Sequence, residues 1–91
     1  MSRNHSTAIL RATAADAMAD PAIREMVEAT ARGIAERTGV ELLNVWADEQ
    51  SVEVTVDGSV IIAVGLVAEL RRTTDQWHRT HTGTPLWVEA S

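Results

Sequence analysis

The spacing of apolar positions divides the chain into helical and alternating stretches. Ile23, Met26, Val27, Thr30, Ala31 and Ile34 recur at i, i+3, i+4 and i+7, the pattern of an amphipathic helix. Asp20-Pro21 precedes them: an aspartate that can accept from free amides, then a proline whose missing N–H is harmless in a first turn. Gly39 follows Thr38 and suits a left-handed stop, so a helix is predicted over 21–38. Residues 40–47, VELLNVWA, read as a strand, and Asp48-Glu49-Gln50 as a loop. Residues 51–57, SVEVTVD, alternate strictly, with Val52, Val54 and Val56 on one face of a half-buried strand.

Asp57-Gly58 is a preferred two-residue hairpin turn, so Val60–Val64, VIIAV, is expected to pair back as a third strand. That strand is apolar on both faces and needs covering by a helix or a second subunit. In a rival reading, Ser59 caps a helix that starts at Val60 and runs unbroken. The β-branched run favours the strand, with Gly65 as the bend into a helix over 66–81. That helix would turn Leu66, Val67, Leu70, Thr74, Trp77 and His81 to one face, and carry Arg71–Asp75 and Asp75–Arg79 as i, i+4 pairs on its polar surface. Gly83 stops it, Pro85 blocks its continuation, and residues 86–89, LWVE, give a short strand at a sheet edge.

Ahead of all this lies an alanine-rich stretch. Residues 7–19, TAILRATAADAMA, favour a helix on intrinsic propensity, with Ile9, Leu10, Thr13, Ala14, Ala17 and Met18 as a narrow stripe. The expected order is helix, helix, strand, strand, strand, helix, strand. This is an α+β fold: a small, mainly antiparallel sheet, a three-strand meander plus a short C-terminal strand, with two long amphipathic helices on one face. Residues 1–19 would form an N-terminal extension and 20–91 a single domain.

Composition narrows the function classes. With 91 residues the core is thin, and a second copy would help to bury apolar surface. The absence of cysteine excludes disulfides, thiolate metal sites and cysteine nucleophiles. The longest apolar run, residues 60–68, is far below the ~20 residues a spanning helix needs, and the N-terminus lacks a signal-type apolar core. A cytoplasmic protein without membrane contact is expected. The net charge of −5 weighs against nucleic acid, although Arg71, Arg72 and Arg79 share a helix.

The stretch QWHRTHTGTPLW, residues 76–87, holds two of the 3 tryptophans and two of the 3 histidines. Its centre, HRTHTGTP, resembles the tail and linker of a two-Cys, two-His zinc finger, but no cysteine pair precedes it. A different metal site would need a third ligand beside His78 and His81, from His5, Asp75, Glu89 or a second subunit. Otherwise the two histidines serve the helix C-terminus by bonding its last carbonyls. Trp77 is expected on the core side; Trp87 is expected in the core or in a partner interface. No nucleophile elbow or glycine-rich phosphate loop occurs, so the reading leans away from an enzyme and assigns no cofactor. The leading expectation is a protein-interaction or adaptor domain, homodimeric, acting through its own assembly or a protein partner. The alternative is a small-ligand or metal-binding module, or a minor enzyme, centred on Trp77, His78, His81 and Trp87. Arg71 and Arg72 complete the set of candidate binding residues.

Overall fold

A computed structural model describes residues 5–88. Three strands and two helices follow in the order β1 (His5–Arg11), α1 (Pro21–Thr38), β2 (Glu41–Ala47), β3 (Ser51–Asp57) and α2 (Val60–Thr82). The sheet is antiparallel with β3 in the centre, flanked by β1 and β2. The fold is therefore α+β, with fewer elements than the sequence predicts and in a different order.

The central strand sets the inner face. Val52, Val54 and Val56 are wholly buried, each removal from water being worth about 1.5–3 kcal/mol. Ser6, Ala8 and Leu10 of β1 lie directly opposite them in register. On the other side β2 pairs through Leu42 and Val45, with a register shift between Leu42 and Asn44. Both helices cover this one face, α1 over β2 and α2 chiefly over β1. The β2–β3 turn is organised by Asp48, whose Oδ1 accepts from the Gln50 and Ser51 amides at 2.8 Å. The Gln50 amide, with help from Ser51, holds this carboxyl below its ordinary value against the opposing effect of desolvation.

Helix α1 forms as its sequence predicts. Asp20 Oδ1 accepts from the Ala22 amide at 2.9 Å, Pro21 opens the first turn, and Gly39 closes the last at φ 76°. Val27, Ala31, Ile34 and Ala35 are its buried stripe.

Four expectations are corrected. First, the predicted helix over 7–19 is absent. Residues 5–11 form β1, and 12–20 run through turns that bury Met18. Alanine's preference for a helix amounts to tenths of a kcal/mol per residue, whereas Ser6, Ala8 and Leu10 gain contact with three buried valines and a full ladder of hydrogen bonds. Second, Val60–Val64 is not a strand. Asp57-Gly58 ends β3 without a hairpin, and the rival reading holds: α2 starts at Val60 and runs unbroken through Gly65 to Thr82. Helix formation aligns Ala63, Leu66, Val67, Leu70, Thr74 and His78 on one buried stripe, outweighing the β-branched preference of four residues.

The third correction concerns the far end of α2. The buried stripe continues through Thr74 to His78, not to Trp77 and His81, which face solvent. Fourth, LWVE does not form a regular strand. One bridge joins Trp87 to Ala12, and Glu89 lies outside the described residues. No helix among the described residues is long and apolar enough to cross a membrane.

Candidate functional site

Helix α2 is longer than the sheet beneath it. Its 23 residues extend about 35 Å, against about 23 Å for a seven-residue strand. The overrun is packed by the chain's own return. Gly83, at φ 78°, turns the chain and donates to the Arg79 carbonyl at 2.8 Å. Leu86 and Trp87 then fold beneath the helix, both buried.

Among the described residues no buried side-chain nitrogen or oxygen lacks a hydrogen-bond partner. Trp87 Nε1 donates to Thr74 Oγ1 at 2.8 Å, and the Leu86 amide donates to Asp75 Oδ1 at 2.8 Å. Asp75 Oδ2 accepts from Arg79 Nε at 2.7 Å, the i, i+4 pair the sequence predicts. Burial pushes the Asp75 carboxyl up, but Arg79 and the Leu86 amide outweigh it and hold the group below its ordinary value. The other predicted pair is replaced: Arg71 Nη2 donates to the Val88 carbonyl at 3.2 Å.

The six predicted site residues therefore do not converge on one centre. Trp87 is 2% exposed and belongs to the chain's own core. His78 is buried, with Nδ1 at 2.8 Å from the Thr84 carbonyl. A carbonyl only accepts, so Nδ1 carries the proton in this contact. Trp77, by contrast, is 37% exposed and stacks on His81, ring centroids 4.1 Å apart. His81 Nδ1 lies 2.8 Å from the Trp77 carbonyl, so His78 bonds the return and His81 its own helix. Arg71 and Arg72 line a shallow groove of about 570 Å³ with Asp75, Gln76, Arg79 and the edge of Trp87. Among the described residues, no group of three His, Asp or Glu is placed to hold a metal ion.

A second region was not singled out residue by residue from the sequence. Because α2 begins at Val60, the apolar run VIIAV points two ways. Ala63 goes inward, while Ile61 is 78%, Val60 61% and Val64 56% exposed. Val64, Val67, Ala68 and Arg71 line, with residues 8–10 of β1, a largely apolar groove of about 290 Å³.

Beside this groove, β1 is an edge strand. The returning segment pairs with one end of that edge. The Thr13 amide donates to the Leu86 carbonyl at 2.9 Å, and the Val88 amide donates to the Arg11 carbonyl at 2.9 Å. Alternation along an antiparallel ladder then turns the N–H and C=O groups of His5, Thr7 and Ile9 outward as well. The signal for this region lay in the sequence: a run apolar on both faces has to be covered on both.

No protein-family model matches the chain, and neither does any curated protein sequence.

Proposed function

We propose that the chain is a cytoplasmic protein-interaction domain that works as a homodimer and has no catalytic activity of its own. One observation carries this reading: the exposed apolar start of α2 lies beside an edge strand. Fully burying a valine or isoleucine is worth about 1.5–3 kcal/mol. Scaled by the exposure of Ile61, Val60, Val64 and Ile9, the unrealised burial is on the order of 5 kcal/mol per copy. A symmetric pair realises it twice, on the order of 10 kcal/mol, against an association cost of roughly 4–15 kcal/mol. At the low end of that cost the surplus is about 6 kcal/mol, which corresponds to a dissociation constant of tens of micromolar.

Sedimentation velocity between about 1 and 300 μM tests the reading, a window around that affinity. A mass that rises from one chain to two supports it. A single-chain mass across the whole range refutes it.

The arginine-lined groove favours a second reading, a module for a small anionic ligand. Calorimetry with inorganic phosphate or a dicarboxylate should then give heat that is lost in Arg71→Ala/Arg72→Ala. Equal heat in the double variant would remove these arginines from any such site.

A further inference from the structure

The two edges of the sheet are treated differently. At β2 the ladder is broken by the shift between Leu42 and Asn44, and the Ala47 amide is taken by Glu28 Oε2 at 3.0 Å. Bulges and covering side chains are the ordinary protections of an edge. Among the described residues, the stretch from His5 to Ile9 has neither. Its pairing with β3 is regular throughout, and it contains no proline, lysine or carboxylate.

We infer that this edge is the dimer interface: β1 pairs antiparallel with β1 of a second copy, centred on Thr7, and α2 packs beside its symmetry mate. The inference rests on the homodimer reading above and adds the surface and the register. Outward-facing backbone groups fall on odd positions, so the two-fold axis must relate odd residues to odd residues. Centring on Thr7 places His5 opposite Ile9 of the mate and gives on the order of six new hydrogen bonds. It also leaves Arg11 to Thr13 to the returning segment that already pairs there. Centring later, on Ala8 or on Ile9, would set His5 or Thr7 opposite Arg11, whose carbonyl is already taken by Val88.

The helices fit the same axis. α2 lies chiefly over β1 and runs in the same direction, so pairing the strands brings two antiparallel α2 helices side by side. Val60, Val64 and Ala68 recur every four residues on the side toward β1, with Ile61 and Gly65 next to them. The small residues Gly65 and Ala68 permit a spacing of about 8–10 Å.

Charge and area favour a second copy as the occupant. In a chain of net charge −5, residues 5–11 and 60–68 hold no carboxylate, so two copies meet there with least repulsion. An edge about 20 Å long and two layers, about 20 Å, deep gives several hundred Å² per copy. Doubled, this approaches the roughly 1,000 Å² of a specific interface. A bare peptide strand would leave Ile61 and Val60 uncovered.

The test combines sedimentation with amide exchange measured by NMR. Thr7→Pro removes the N–H at the axis, a substitution an edge strand tolerates where that N–H faces outward. Val64→Glu places a charge on each side of the axis. Each should raise the dimer dissociation constant at least about 30-fold with circular dichroism unchanged. Thr7→Ala keeps the N–H and should leave the dimer intact. In the parent protein the Thr7 and Ile9 amides should gain protection as concentration rises. A dimer that survives both Thr7→Pro and Val64→Glu overturns this interface while the homodimer reading stands. A monomeric parent overturns both. Protection of Thr7 and Ile9 that does not vary with concentration would mean that the chain covers its own edge, and would equally overturn the proposal.

Discussion

Thr74 is the residue through which α2 holds the end of the chain, and Thr74→Val isolates that role. The exchange keeps the shape of the side chain, its branching at Cβ and nearly its helix propensity. It removes one oxygen that lies in a fully buried position. That oxygen accepts from Trp87 Nε1 at 2.8 Å and donates to the Leu70 carbonyl at 2.6 Å. The Leu70 carbonyl keeps its helical partner, the amide four residues on, so its loss is small. The indole N–H keeps nothing. An unpaired buried donor costs about 1–3 kcal/mol, offset in part by no longer burying a hydroxyl. A net loss of about 1.5–2 kcal/mol is expected, or a fall in Tm of roughly 6–16 °C for a domain of this length. Urea unfolding at one fixed protein concentration measures it. Trp87→Phe removes the donor, so in that background Thr74→Val should cost at least about 1 kcal/mol less. A loss below about 0.5 kcal/mol, or the same loss in both backgrounds, would show that this hydrogen bond does not anchor the return.

Two glycines should answer an alanine substitution with opposite signs. A Cβ at Gly33 or Gly83 meets nothing within 4 Å, but Gly83 sits at φ 78° and Gly33 lies inside α1. Gly33→Ala should raise stability by about 0.5–1 kcal/mol and Gly83→Ala should lower it by about 1 kcal/mol, read from urea midpoints. Equal signs would contradict the assigned backbone. Asp75 gives a pH dependence. Its folded-state pKa is depressed, so its stabilisation is complete above its ordinary value of 3.8 and is lost as pH falls through the lower folded value. Asp75→Asn should lower stability by about 1–2 kcal/mol at pH 7. It should also make stability fall less steeply than in the parent below about pH 4. Parallel acid profiles for parent and variant would remove Asp75 from the account.

The elements that were legible in the sequence are those in which local signals and tertiary packing agree. α1 has a cap, a proline, a stop glycine and a 3.6-residue stripe, all pointing to the same bounds. β3 has strict alternation. The misread elements are those in which packing opposes propensity. In β1 the inward residues are Ser6, Ala8 and Leu10, a face too weakly apolar to stand out against an alanine-rich background. In α2 the β-branched start imitates a strand. Its helical stripe becomes visible only once Ala63 is counted inward with Leu66 and Leu70. Trp77 was misplaced for a related reason. The stripe steps from Thr74 to His78, and one position of error exchanges an exposed indole for a buried imidazole.

The tryptophans and histidines at the far end of α2 have structural partners of their own. Tryptophan and histidine draw attention in a sequence, but here they are used to close a helix. Trp87 plugs the overrun, His78 bonds the return, and His81 bonds a carbonyl of its own helix. The exposed apolar surface at the start of α2 consists of valine and isoleucine, whose significance depends on direction. In a strand, Val60–Val64 would have been covered by the sheet's own layers. In a helix, Ala63 alone of the first five residues goes fully into the core, and Val60, Ile61 and Val64 remain outside. The two features also depend on each other. The return that buries Trp87 takes Arg11 to Thr13 out of the β1 edge, so the closure of α2 determines how much edge is left for a second copy and on which residue it can centre.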